Sequence, residues 1–264
     1  MNNRIIFWGL LYFTLYSNCW ANQEDSRVET RALYSFVNQK TGELVLKGNA
    51  EVIREGMSLK ADKILYMEQK KEAFATGNVR LSNPDFVLES GQIRVYLQGN
   101  ETLKSLGEKD ILIIAQKGPR LTEKASAGQV VNQVSAVEIK FFKGQEKIEA
   151  MENVRMVQMS TDGIQLKEEM VVTGGFLEYL HKQKKALVKK DVLLESKSLG
   201  GVGQRLIYYQ KNDRFYLIDR AKVFEYDENG KAINQIAGNK ILHLLKERRT
   251  ILMGNVEGSL GYDG

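Results

Sequence analysis

From residue 44 onward two short sequence patterns alternate along this chain, and both have the period of a β-strand. The clearest copies of the first are Leu44-Val45-Leu46-Lys47-Gly48-Asn49-Ala50-Glu51-Val52 and Ala73-Phe74-Ala75-Thr76-Gly77-Asn78-Val79-Arg80-Leu81. It returns around Asn153-Val154, around Asp191-Val192, at Leu217 to Val223 and at Gly254-Asn255-Val256, with a weaker copy at Lys109-Asp110-Ile111. Its anchors fall at 50, 79, 111, 154, 192, 223 and 256, so the spacing runs from 29 to 43 residues. The second pattern reads Ala61-Asp62-Lys63-Ile64-Leu65-Tyr66 and recurs at Ser90-Gly91-Gln92-Ile93, Gly128-Gln129-Val130, Gly174-Gly175-Phe176, Gly203-Gln204-Arg205-Leu206 and Gly238-Asn239-Lys240-Ile241. Strict alternation over such short runs predicts strands with one buried face. Turn residues such as Glu55-Gly56, Asn83-Pro84-Asp85 and Asp162-Gly163 stand between them. One strand pair of this size cannot bury its apolar face alone, so neighbouring repeats stack and share one interior. The expected fold is all-β, an elongated antiparallel sheet of repeated strand pairs.

Parity around the anchors predicts the inward set. It comprises Leu46, Val52, Leu59, Ala75, Val79, Leu81, Leu88, Ile148, Val154, Met156, Val188, Val192, Leu194, Val223 and Val256. Gly48, Gly77 and Gly254 precede their anchors by two residues, which suits a kink or bulge. Two readings of the interior stay open. The inward side chains fill their own core, or they line a groove that an apolar ligand enters.

Composition removes most enzyme classes. The chain holds two His (His181 and His243) and one Cys (Cys19), which excludes a zinc cluster, a disulfide framework and a Cys/His protease. Gly200-Gly201-Val202-Gly203 lacks the spacing of a nucleotide loop, and no serine-hydrolase elbow occurs. No catalytic residue, metal ligand or cofactor site is expected. The formal charge of +5 from 38 basic and 33 acidic residues is mild. The basic runs 181–185 and 246–249 read as solvated turns or as contacts to a phosphate-bearing ligand. The N-terminus explains why nucleic acid is not expected. Arg4, the apolar run Ile5 to Tyr16 and Ala21 have the layout of a cleaved export signal over 1–21, leaving 22–264 as the mature domain. Two alternatives remain there: lipidation at Cys19, or retention of the segment as a membrane anchor.

Leu46-Lys47-Gly48-Asn49-Ala50, then Leu59-Lys60-Ala61-Asp62-Lys63-Ile64-Leu65-Tyr66, then Ala75-Thr76-Gly77-Asn78-Val79 resembles the OstA-like family. That family includes the periplasmic lipopolysaccharide-transport protein LptA, the membrane-anchored LptC and the N-terminal domain of LptD. The resemblance is clearest from about Leu44 to Tyr96. It implies a β-jellyroll whose interior holds the acyl chains of lipopolysaccharide, or its lipid A part, while sugars and phosphates face out. It also implies a periplasmic location and no catalysis. The implied partners are LptC-like and LptD-like jellyrolls, with head-to-tail self-association through edge strands. An LptC-like anchored component and a ligand-free structural repeat of the envelope are the alternatives. The stretch 108–144 matches poorly and is expected to be an insertion or a degenerate repeat.

Overall fold

The computed structural model describes residues 28–124, 131–161, 166–227, 229–245, 247 and 249–260. The 1–21 segment with Cys19, the 128–130 repeat copy and the Asp162-Gly163 turn lie outside these residues. The described chain is nearly all strand: β1 Glu29–Arg31, β2 Tyr34–Asn38, β3 Glu43–Arg54, β4 Met57–Met67, β5 Glu72–Ser82, β6 Phe86–Tyr96, β7 Leu112–Gln116, β8 Arg120–Glu123, β9 Val131–Ser135, β10 Glu138–Phe142, β11 Lys147–Thr161, β12 Leu166–Leu180, β13 Lys185–Ser196, β14 Leu199–Tyr209, β15 Arg214–Tyr226, β16 Ala232–Leu244, β17 Arg249–Met253 and β18 Glu257–Leu260. One short helix, α1 Glu101–Ser105, is capped by Asn100, whose Oδ1 accepts from the Thr102 N–H at 2.7 Å. Its Leu103 covers Tyr96, Leu112 and Phe142 on the outside of the sheet.

Pairing is antiparallel and follows chain order, so the fold is one long meander. Each long strand pairs with its neighbour in two halves, and a register shift separates the halves: between Lys47 and Ala50, Thr76 and Val79, Lys189 and Val192, or Ile218 and Ala221, for example. At seven places along the meander two consecutive residues take positive φ. These pairs are Gly48-Asn49, Gly77-Asn78, Lys117-Gly118, Glu152-Asn153, Lys190-Asp191, Asp219-Arg220 and Gly254-Asn255. Two left-handed residues inside a strand form a bulge that bends it sharply. Repeated in register down the meander, these bulges fold the sheet over on itself into a β-jellyroll. A sheet this wide does not stay open and flat, because strand twist accumulates.

The Gly-Asn dipeptides thus mark corners, as the glycine spacing suggests. Two copies are corrected. The third corner is Lys117-Gly118, with Pro119 buried behind it, and not Lys109-Asp110-Ile111. The sixth turns at Asp219-Arg220, so Ala221, 1% exposed, takes the place assigned to Val223. Neither corner carries a Gly-Asn pair, since charged residues also adopt this conformation at a cost of about 1–3 kcal/mol. Within 108–144 the strands are short: β7 and β8 flank a corner and pair with the two halves of β6, and β9 and β10 pair with the two halves of β11.

The corners pack on the bends of neighbouring strands. Asn78 Nδ2 donates to Asp62 Oδ2 at 3.1 Å, and the Gly91 N–H donates to the Lys117 carbonyl at 3.0 Å. Gln204 Nε2 reaches Asp191 Oδ1 at 3.0 Å, and the Asn239 N–H reaches the Gly254 carbonyl at 3.2 Å. The second sequence pattern is therefore the docking partner of the first, which explains why the two interleave.

Candidate functional site: the apolar interior and its mouth

Folding the sheet brings two inner faces together. On one half, cross-strand register aligns Leu46, Ile64, Ala75, Ile93, Ala115, Ile139, Ala150, Leu177, Val188, Leu206, Leu217 and Ile241 in one ladder. On the other, Val52, Leu59, Leu81, Leu88, Leu121, Val134, Met156, Val172, Leu194, Gly201 and Val223 form a second. All the buried members belong to one continuous apolar cluster spanning the molecule from β3 to β16.

The fifteen sequence-predicted residues fall as follows. Leu46, Leu59, Ala75, Val79, Leu81, Leu88, Ile148, Val154, Met156, Val188, Val192, Leu194 and Val223 are buried in that cluster. Val52 packs against it while half-exposed, because only the short β1 covers its outer side. Val256 is misplaced by the parity argument: it is 53% exposed, between β17 and β18. Those two strands pair only with β16 among the described residues, so no further ladder position closes over it.

The interior is closed. Leu88, Ile93, Val188, Leu206 and Leu217 are 0% exposed, which a water-wide groove alongside them would not allow. The facing side chains fill the space between the halves.

Opposite the corners, the hairpin turns of the two halves meet along a mouth. It is fastened by polar groups from strands far apart in sequence. Glu123, at the end of β8 and 9% exposed, lies at its centre. Its Oε1 accepts from the Tyr179 hydroxyl at 2.7 Å, with Lys184 Nζ and His181 Nδ1 each 3.6 Å away. Its Oε2 accepts from Asn132 N and Nδ2 at 3.1 and 2.8 Å. Burial by itself raises the carboxyl pKa. The His181 ring, the Tyr179 hydroxyl, the Lys184 charge and Asn132 outweigh it and hold the group at about 2. Burial and the Glu123 charge push the Tyr179 hydroxyl far above its ordinary value, so it remains a donor. Further along, Gln158 Nε2 donates to the Tyr208 hydroxyl at 2.7 Å, and Phe86 meets Phe141 edge-on with ring centroids 4.8 Å apart.

Sequence reasoning missed this polar seam. A signal for it exists: Glu123, Asn132, Gln158, Tyr179 and Tyr208 occupy inward-parity positions two residues beyond Leu121, Val134, Met156, Leu177 and Leu206, where polar groups need partners.

A bent antiparallel meander closed around one apolar interior defines a β-jellyroll of the kind built from repeated strand pairs. Residues 65–249 match the family described as LptA/(LptD N-terminal domain) LPS transport protein, and the chain belongs to that family. A 56-residue segment, 21% of this chain, is 39% identical to the LPS-assembly protein LptD of Cupriavidus necator, and a segment of the same length has the same identity to that of Cupriavidus metallidurans. The matched segment spans 7% of the length of either relative. Among solved structures, LptH of Pseudomonas aeruginosa, described as the LptA homologous periplasmic component of the lipopolysaccharide transport device, aligns over 78% of this chain and 95% of its own, at 10% identity and a TM-score of 0.29.

Proposed function

We propose that this chain carries lipopolysaccharide through the periplasm as one segment of a transport bridge, holding the acyl chains between the two halves of its sheet. One observation supports this reading above others: two unbroken apolar ladders face each other along the whole molecule. An acyl chain laid between them leaves water at roughly 0.8 kcal/mol per buried CH₂. Because the interior is closed, loading parts the halves at the mouth, and the polar seam separates while the corners act as the hinge. Sugars and phosphates stay outside the mouth. The lipid is moved and not altered, so no catalytic group takes part.

Both ends of the meander suit joining to further jellyrolls. Among the described residues β2 pairs only with β3, and Tyr34 and Phe36 on it are 73% and 63% exposed. At the other end β17 pairs only with β16 among the described residues. Each offers unpaired backbone groups to an LptC-like or LptD-like neighbour or to a second copy. Export by the 1–21 segment puts the protein in the compartment this work requires.

The deciding experiment places a photo-crosslinker at Val79 or Val192, both inside, and at Arg80, which faces out and pairs with Glu89. Capture of lipopolysaccharide from cells at the first two and not at Arg80 is the expected result. A second reading, a ligand-free structural repeat, is favoured by the packing of the interior. Equal labelling at all three positions, or none, would establish it instead.

A further inference from the structure

The outer face of the sheet is unlike at its two ends. On β13–β16, register turns positions 185, 187, 189, 205, 207, 209, 214, 216, 218, 240, 242 and 244 outward. Five are Lys or Arg, seven are aliphatic or Tyr, and none is a carboxylate. The equivalent positions on β3–β6 include Glu43 and Glu72, and Glu72 pairs with Arg94 at 3.3 Å.

Four of the five cations of the β13–β16 face, Lys185, Lys189, Arg214 and Lys240, lie on aromatic rings. Lys185 Nζ is 5.5 Å from the Tyr209 ring centre, and Lys240 Nζ is 4.6 Å from that of Tyr216. Arg214 bridges both tyrosines at 5.2 and 5.9 Å, and its buried Nε has no hydrogen-bond partner among the described residues. Among the described residues, Arg205 alone of the five has a carboxylate partner, Asp219, at 2.7 Å beside the corner. Between the flanking cations an apolar row, Leu187-Ile207-Tyr216-Leu242, runs to Ile251 on the open edge strand, where exposure is 37%.

We infer that this face docks on an anionic phospholipid bilayer. Cations on flexible stems reach phosphates, while aromatic rings and the aliphatic row settle at headgroup level. The absence of any carboxylate among these twelve positions supplies the charge complementarity. Docking here would hold the jellyroll side-on against a membrane and leave its mouth free. It stands apart from lipid carriage inside, since these positions alternate with those of the interior ladder along each strand.

The test is co-sedimentation of the full chain with vesicles of phosphatidylcholine, and with vesicles containing one-third phosphatidylglycerol. It is run at about 0.1 M salt, where exposed charges still act over about 10 Å. Binding to the anionic vesicles should be at least about tenfold tighter. Lys185→Glu with Lys240→Glu should abolish that difference. Lys47→Glu with Lys63→Glu, an equal charge change on the β3–β4 face, should reduce it by less than about threefold. Lys240→Gln, a milder change, should weaken binding partially with circular dichroism unchanged. Leu242→Trp should show emission shifted to the blue on anionic vesicles, and Phe74→Trp should not. Equal loss in both double variants, equal binding to the two kinds of vesicle, or binding of inorganic phosphate without vesicles would overturn the proposal. Photo-crosslinking of lipid at Val79 is read separately and does not depend on this face.

Discussion

Glu55 Oε2 lies 2.7 Å from Lys143 Nζ across 88 residues of sequence. Glu55 sits in the β3–β4 turn and Lys143 follows β10, so the contact joins the two halves of the folded sheet at the mouth. Both side chains are about a third exposed, at 38% and 32%, so the pair itself stabilises little. Its significance is geometric. With Glu123 to Tyr179 and Gln158 to Tyr208 it shows that the halves meet in stagger, each hairpin facing one further along the chain.

The buried member of this series should dominate stability. Glu123→Gln is expected to cost about 1–3 kcal/mol, because Asn132, Tyr179 and Lys184 lose a charged acceptor. Glu55→Gln should cost under about 1 kcal/mol. Urea denaturation of the two variants, with a Glu123–Tyr179 double-mutant cycle, checks this; independent effects at 123 and 179 would show that the hydrogen bond does not fasten the seam.

Acid should loosen the molecule. The Glu123 pKa is depressed from 4.5 to about 2, so its contribution is fully present above pH 4.5 and is lost as pH falls through about 2. The shift corresponds to roughly 3 kcal/mol. Burial depresses the pKa of His243 below 6.5, so its contribution also declines on acidification. Melting temperature should therefore fall from neutral pH downward, and Glu123→Gln should flatten the profile below pH 4.5. An unchanged profile in that variant would count against the seam as described.

The corners should tolerate side chains badly. Gly77 has φ +75°, and a Cβ there would lie 2.3 Å from Asp62 Oδ2. Gly56 has φ +74° but open space around it. Gly56→Ala should cost about 1 kcal/mol through backbone strain alone. Gly77→Ala should cost about 2–4 kcal/mol, and adding Asp62→Ala should recover part of it. Equal losses at the two glycines would mean that corner packing contributes nothing.

If the edge strands join, sedimentation should show mass growing with concentration, because head-to-tail pairing does not close. Tyr34→Lys with Phe36→Lys on β2 should return a monomer without altering the circular dichroism spectrum. A concentration-independent monomer in the unsubstituted protein would reject assembly through these edges.

The alternation around Ala50, Val79, Val154 and Val192 determined the strands, the buried face and four of the corners by itself. Strand parity is local, and a one-residue slip would put Leu46 or Leu194 in water. The Gly-Asn pairs announced their bends because few residues adopt left-handed φ without strain. Tertiary structure decided everything across the mouth. That Glu123 meets Tyr179, that Lys117-Gly118 is a corner, that Val256 is uncovered and that the ladders close without a gap all depend on sheet twist and on the stagger of the halves. Those quantities are set by packing between hairpins tens of residues apart, and no local pattern carries them.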